Sequence, residues 1–114
     1  MLLNGGTLDG KRLLGPRTVA YMTSDQLGAT VMPGPYYLPG PGYGFGLGFA
    51  VRRDLGGPSA NGSPGEYNWA GAGGTAFWVD PREKLIVVFM MQSPSKRAYY
   101  RALLRDMIYA AIVN

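Results

Sequence analysis

Glu66-Tyr67-Asn68-Trp69-Ala70-Gly71-Ala72, Gly74-Thr75-Ala76-Phe77-Trp78-Val79-Asp80 and Leu85-Ile86-Val87-Val88-Phe89-Met90-Met91-Gln92 follow one another with only short breaks. Each run has the length of a strand, and together they read as two or three strands over 66–72, 74–80 and 85–92. Asp80-Pro81-Arg82-Glu83-Lys84 supplies the turn between the last two. Proline fixes φ there, and an aspartate side chain can accept from the backbone two residues on. Leu85 to Met91 is apolar throughout, the pattern of a strand covered on both faces, so it is expected at the centre of a sheet.

Moving towards the N-terminus, 54–65 is a loop rich in Gly, Pro, Ser and Asn. Tyr43 to Arg52 alternates with period two, and that predicts one further strand. Tyr43, Phe45, Leu47, Phe49 and Val51 point one way, while Gly44, Gly46, Gly48 and Ala50 point the other. A row of glycines implies that something approaches that face closely. The run has neither Gly-Lys-Ser/Thr nor G-x-G-x-x-G, so it is no phosphate loop. Residues 28–42 are loop, and Pro16 opens a short helix through about Ser24. Thr7 to Leu14 is a hairpin with Asp9-Gly10 at its turn. Met1-Leu2-Leu3 running into Asn4-Gly5-Gly6 reads as the last turn of a helix whose body lies outside this sequence, in preference to a frayed start at a true initiator.

Towards the C-terminus, Ser95 to Val113 is expected to be the one long helix, with Ser95 as its cap. Tyr100, Leu103, Leu104, Met107, Ile108 and Ala111 recur at helical spacing and mark its buried face. Arg97, Arg101 and Arg105 lie four apart on another face, either an anion-binding stripe or, the preferred reading, a solvated outer surface. The fold class is therefore α+β: a single domain over residues 1–114, with an antiparallel β-sheet, a long C-terminal helix on one face and a short N-terminal helix. Only the short helix near 15–24 is on hand to cover the second face. The sheet is thus expected to meet a partner, either a missing N-terminal part of the domain or a second copy in a homo-oligomer such as a dimer.

Composition narrows the chemistry. The 114 residues include no His, which excludes a Ser-His-Asp triad, a His base and a His metal ligand. They include no Cys, which excludes a disulfide, a thiolate nucleophile and a Cys zinc site. The acidic residues are scattered without the spacing of a Ca²⁺ loop, so no metal or other cofactor is expected. Eleven basic against seven acidic residues give a charge of +4, but no basic cluster is interleaved with stacking aromatics, and nucleic acid is not expected as a partner. The longest apolar run, Leu85 to Met91, is far short of the roughly 20 residues of a membrane span. The compartment stays open between bacterial cytoplasm and periplasm.

Two stretches together resemble the serine β-lactamase and penicillin-binding-protein superfamily, and within it the class C-like, carboxylesterase-type branch. One runs from Met1-Leu2-Leu3-Asn4-Gly5-Gly6 through Leu13-Leu14-Gly15-Pro16-Arg17-Thr18-Val19 to Met22-Thr23. The other is Gly65 to Thr75, then Phe77-Trp78-Val79-Asp80-Pro81 and the apolar strand to Gln92, with the Tyr43-Gly44-Phe45-Gly46-Leu47-Gly48 strand fitting between. The resemblance covers essentially the whole chain but only the C-terminal part of the family fold. It implies hydrolysis of a small-molecule ester, amide or β-lactam through an acyl-serine. In that family the nucleophile sits in S-x-x-K, a Y-x-N-type motif helps manage its proton, and a third motif of K-T-G type edges the site.

Trp69-Ala70-Gly71 occupies the place of that third motif and is similar to its W-x-G variant. The resemblance implies that Ala72 donates its backbone N–H to the developing oxyanion, an interaction worth about 3–4 kcal/mol in the transition state. It also implies that Gly71 and Gly73 let substrate approach the strand. Trp69 has two readings, a wall of an acyl pocket or a core residue, whereas Trp78 reads as core or sheet surface. Gly71-Ala72-Gly73-Gly74 could also be a plain strand bend packed close to a neighbour. No Lys or His stands in the third motif, which favours esters and amides over penicillins. Tyr67 is followed directly by Asn68, so no Tyr-x-Asn is present, and the nucleophile-bearing region is absent. Ser93-Pro94-Ser95-Lys96 spells S-x-x-K, but Pro94 disfavours helical geometry at Ser93, and a catalytic pair needs both residues in one helical turn. The chain is thus expected to contribute the oxyanion-hole strand of a hydrolase and to be inactive alone. The rival reading is a non-enzymatic binding or self-associating module built on the exposed sheet.

Overall fold

A computed structural model describes residues 1–29, 34–56 and 60–113. Parts of the two expected loops, 30–33 and 57–59, lie outside the described residues, as does residue 114. The chain starts in a 3-10 turn at Leu2–Asn4 that ends on Gly5 in the left-handed conformation, φ 60°. β1 (Thr7–Leu8) and β2 (Lys11–Arg12) form the expected hairpin. Asp9 and Gly10 both take positive φ, 48° and 75°, the geometry of a type I′ turn. α1 (Pro16–Met22) begins on its proline and buries Val19.

The main sheet is antiparallel and five-stranded, in the order β3 (Tyr43–Phe45), β4 (Ala50–Arg52), β5 (Tyr67–Ala70), β6 (Ala76–Asp80), β7 (Leu85–Phe89). Residues opposite one another across a ladder share a face. The register Val51↔Tyr67↔Val79 therefore puts these three on one face, where they form the buried core with Leu2, Leu3, Phe49 and Phe77 packed against them. Asn68↔Trp78↔Val87 places Trp78 on the opposite face, the one that carries α2 (Arg97–Ala110).

Several sequence expectations are corrected. Tyr43 to Arg52 is not one strand but the hairpin β3–β4, with Gly44 facing Val51 and Phe45 facing Ala50. Gly48, at φ 95°, reverses the chain. The close approach at the glycines is real, and its cause lies within this chain. A Cβ on Gly44 would run into the Asp25 carboxylate, and one on Gly46 into the Met22 carbonyl oxygen. The end of α1 thus packs against β3, secured by Leu47 N–H on Met22 O at 2.8 Å and Gln26 N–H on Phe45 O at 2.9 Å.

Leu85 to Met91 is not a central strand. β7 is the edge, alternately half-buried and exposed, with Ile86, Val88 and Met90 at 51%, 66% and 80% exposure. Its apolar character is that of a strand covered twice, but within this chain one side stays open. Leu2 and Leu3, rather than the helix at 16–22, cover this face over Val51, Tyr67 and Val79, and leave it open at Ile86 and Val88.

The C-terminal helix also departs from its pattern. Pro94–Lys96 forms a 3-10 turn, α2 starts at Arg97, and Ser95 makes no capping bond. Its apolar stripe stays exposed at Tyr100, Leu103 and Met107, by 40%, 42% and 63%. Arg101 and Arg105, expected on a solvated outer surface, face the protein instead, whereas Arg97 is exposed as expected. The Arg105 guanidinium lies 4.8 Å from the Trp78 ring centroid and pairs with Glu66. Arginine tolerates this placement because its apolar stem can lie on ring surface while its head finds acceptors.

Glu66 and Asp80 are fully buried, and buried carboxylates need partners. Glu66 takes Arg105 and the Tyr43 hydroxyl at 3.2 Å. Asp80 caps its own turn through the N–H groups of Arg82 at 3.1 Å and Glu83 at 3.3 Å. The Tyr109 hydroxyl donates to Asp80 at 2.8 Å and lies 3.3 Å from Glu66. Burial, then the bond to Asp80 and the nearby Glu66 charge, push the Tyr109 pKa far up, so the hydroxyl keeps its proton. This network, rather than an apolar seam, seats α2.

Asp25 works similarly near the surface. Partial burial opposes its charge, but the N–H groups of Leu27 and Phe45 and the Arg53 guanidinium outweigh that and hold its pKa below the ordinary 3.8. Because the folded value is depressed, the carboxylate stabilises the fold above pH 3.8 and loses that contribution as pH falls through the folded value. The stability difference between wild type and Asp25→Asn is therefore expected to be full at neutral pH and to shrink on acidification below about pH 4 in denaturant titrations. Gly46→Ala is expected to cost about 1–3 kcal/mol in the same measurement, since backbone must move. Gly56→Ala, with open space around it, should stay within about 0.5 kcal/mol. Glu66→Ala, which strands Arg105, is expected to cost about 3–5 kcal/mol.

Candidate functional site

The hairpin linking β5 to β6 carries the residues singled out from the sequence. Gly71 donates its N–H to Thr75 O at 2.8 Å, and Gly74 donates to Gly71 O at 3.2 Å, which closes a tight turn over 71–74. Gly74 sits at φ 123°, a conformation that glycine allows freely. The apex of the turn is therefore Ala72-Gly73.

Ala72 is exposed, and among the described residues its N–H has no hydrogen-bond partner. β4 pairs with β5 only at Asn68 and Tyr67, so no strand covers the outer edge of Trp69 and Ala70. Trp69, Ala70, Gly71 and Ala72 all line a hollow of about 390 Å³, joined there by Asn68, Arg97 and Arg101. Trp69, Ala70 and Gly71 also border a second hollow of about 390 Å³, where the other walls include Phe77, Val88 and Met90. The end of β5 thus stands between two cavities, one of mixed polar and apolar lining and one largely apolar.

Gly73 lies apart from both linings. A Cβ there would come within 3.1 Å of Gln92 Oε1, and its carbonyl accepts from Ser93 N–H at 2.9 Å. The space beside Gly71 is taken by Thr75 Oγ1. Trp69 is half-buried and meets Phe45 edge to face, with centroids 5.2 Å apart. It is both a packing residue and a wall of each hollow. Trp78 is core, at 3% exposure.

Arg101 is the residue that the sequence reading missed here. Its Nη2 donates to Gly71 O, and also to Thr75 O at 2.8 Å, while its Nε donates to Gly74 O at 3.3 Å. Burial, with Arg97 nearby, lowers the Arg101 pKa from its usual value, yet an arginine so placed remains charged at neutral pH. Arg97, exposed beside the first hollow, bonds only its own turn, at Pro94 O, 2.6 Å. The sole advance signal was the four-residue spacing of the three arginines, which does not say which way the face points.

No hydrogen bond joins the Ser93 and Lys96 side chains among the described residues. Ser93 is extended, φ −156° and ψ 78°, as a residue before proline tends to be, and stands outside the helical turn that holds Lys96. No group of three or more His, Cys, Asp or Glu able to hold a metal occurs among the described residues, and no described helix is long and apolar enough to cross a membrane.

Comparisons with known proteins show one family and a shared fold. Protein Rv1367c of Mycobacterium tuberculosis (strain ATCC 25618 / H37Rv) is 36% identical over 103 residues, covering 81% of this chain and 24% of its own length. The chain thus spans about a quarter of the curated relatives it matches. Among solved structures, EstCE1, a hydrolase with promiscuous acyltransferase activity, superimposes with a TM-score of 0.73 at 29% identity over 94% of this chain and 26% of that one. Simvastatin synthase (LovD) from Aspergillus terreus shares the fold, with a TM-score of 0.70 at 23% identity over 96% of this chain and 30% of that one. The sequence model of the family described as Beta-lactamase matches residues 4–111, nearly the whole chain, and the chain belongs to that family.

Proposed function

We propose that this chain forms one wall of the acyl-transfer site of a serine hydrolase and supplies one N–H of its oxyanion hole, that of Ala72. The carrying observation is the unpartnered Ala72 N–H at the rim of the hollow lined by Asn68, Ala70 and Arg97. An acyl-serine reaction needs donors aimed where negative charge develops on the carbonyl oxygen, and a backbone N–H held by a tight turn meets that need without reorganising. The similarity to EstCE1, a hydrolase with promiscuous acyltransferase activity, supports ester or amide chemistry. The absence of a lysine from Trp69-Ala70-Gly71 supports it over penicillin recognition. The nucleophile is proposed to come from residues beyond these 114, with this chain inactive alone.

The row of Ile86, Val88 and Met90 along the open edge of β7 favours a second reading, a module that associates through its sheet. A solution mass of twice the chain would support it, and a stable monomer would remove it.

The functional test uses p-nitrophenyl acetate. The chain alone is expected to show no turnover above its Ser93→Ala variant. A hybrid in which this chain replaces the matching segment of EstCE1 is expected to hydrolyse the ester. In the hybrid, Ala72→Pro should lower kcat by about 10²–10³, the loss of one oxyanion donor. Proline suits the second position of the 71–74 turn, so this substitution removes the N–H with little else. Turnover by the chain alone that Ser93→Ala abolishes would overturn the proposal.

A further inference from the structure

Gly71 C=O and Ala72 N–H belong to one peptide unit. The chain has no cis peptide bond among its described residues, so the two groups point in opposite directions across a planar unit. The oxygen faces Arg101, whose guanidinium also holds Gly74 O and Thr75 O. Three carbonyls from one turn converging on one cation is more than the turn needs to close, because Gly74 N–H and Gly71 N–H already close it. Arg101 is itself placed from outside the turn. One helical turn further on, Arg105 is fixed by Glu66 and by Asn61 O at 2.6 Å, and Tyr109 by Asp80.

We infer that Arg101 is a positioning residue for the oxyanion site, its guanidinium orienting the Gly71–Ala72 peptide and polarising it so that the Ala72 N–H is aimed outward and is a stronger donor. The inference rests on the proposed role of Ala72. The physical basis is amide resonance. A charged donor on the carbonyl oxygen draws electron density from the nitrogen, which raises the C–N double-bond character and makes the N–H more acidic. Hydrogen bonds in series strengthen one another, so an oxyanion bound at Ala72 and the guanidinium bound at Gly71 would act through the same peptide in the same sense. No charge need move and no proton is transferred; the cation stays on the carbonyl side of the peptide, at the Gly71 oxygen. The fork geometry matters as well as the charge, because only a planar guanidinium can span three carbonyls at fixed spacing.

The test reads the peptide directly. Amide correlation spectra are recorded for the 114-residue chain and for Arg101→Met and Arg101→Lys. The Ala72 amide nitrogen, which senses hydrogen bonding at the preceding carbonyl, is expected to shift in Arg101→Met by more than any residue of the β1–β2 hairpin, and to be only partly restored in Arg101→Lys. An Ala72 signal unmoved in a well-dispersed Arg101→Met spectrum overturns the inference. If that variant does not fold, an unmoved Ala72 signal in Arg101→Lys overturns it equally. In the EstCE1 hybrid, Arg101→Met is expected to lower kcat about tenfold with KM unchanged, part of one oxyanion donor's worth. A rise in KM alone would assign Arg101 to binding and overturn the positioning role. Should Ala72 shift while hybrid turnover is indifferent to Ala72→Pro, the clamp is real but the oxyanion reading of Ala72 is wrong. Should Ala72→Pro abolish turnover while Ala72 does not shift, the oxyanion reading stands and the clamp falls.

Discussion

The ion pair between Glu66 and Arg105 is the contact on which the arrangement of this chain depends. Glu66 is fully enclosed at the start of β5, and an enclosed carboxylate without a counter-charge would destabilise the fold severely. Arg105 answers that charge, and in doing so it draws α2 down onto the face that carries Trp78. Tyr109, one turn later, adds the hydroxyl that ties Asp80 into the same network. Arg101, one turn earlier, is carried to the turn between β5 and β6. A single buried pair therefore sets the height and rotation of the helix, and the helix sets the turn.

Polar anchoring of this kind differs from the usual seating of an amphipathic helix. A hydrophobic seam is tolerant of sliding, since apolar contact has no direction, whereas charge-assisted hydrogen bonds fix both distance and angle. Arg52 shows the same logic elsewhere. Buried at 3% exposure, it gathers the carbonyls of Asp54, Leu55 and Ala60 from the loop between β4 and β5. Two loops flanking β5 are thus each organised by an arginine that reads carbonyl oxygens rather than by loop packing.

Much of the fold was legible in the chain because its signals are local. Asp9-Gly10 encodes a two-residue turn, Pro16 starts a helix, and the strand-length runs around Trp69, Trp78 and Val87 are separated by unmistakable turn residues. What was not legible depends on groups distant in sequence. Tyr43 to Arg52 alternates as smoothly as a single strand, and only the approach of Met22 and Asp25 to Gly46 and Gly44 shows why it folds back. Leu85 to Met91 has the composition of a doubly covered strand, but composition does not say whether the second cover lies in the same chain. The arginine stripe misled for a related reason: periodicity separates the faces of a helix, and the carboxylates at 66 and 80 decide which face turns inward. In the candidate site, Trp69, Ala70, Gly71 and Ala72 were singled out through the order of motifs and share one hollow, whereas Gly73 packs on Gln92 and Arg101 gave no sign of its target.

The enclosure of Glu66 has a bearing on how the molecule responds to its ionic surroundings. Mobile ions cannot reach a side chain with no accessible surface, so added electrolyte does little to weaken its attraction for Arg105. The Arg53–Asp25 pair, at 2.7 Å but with 30% and 24% of its side chains open to water, has no such shelter. Raising ionic strength would therefore loosen the end of α1 from the β3–β4 hairpin while leaving α2 seated.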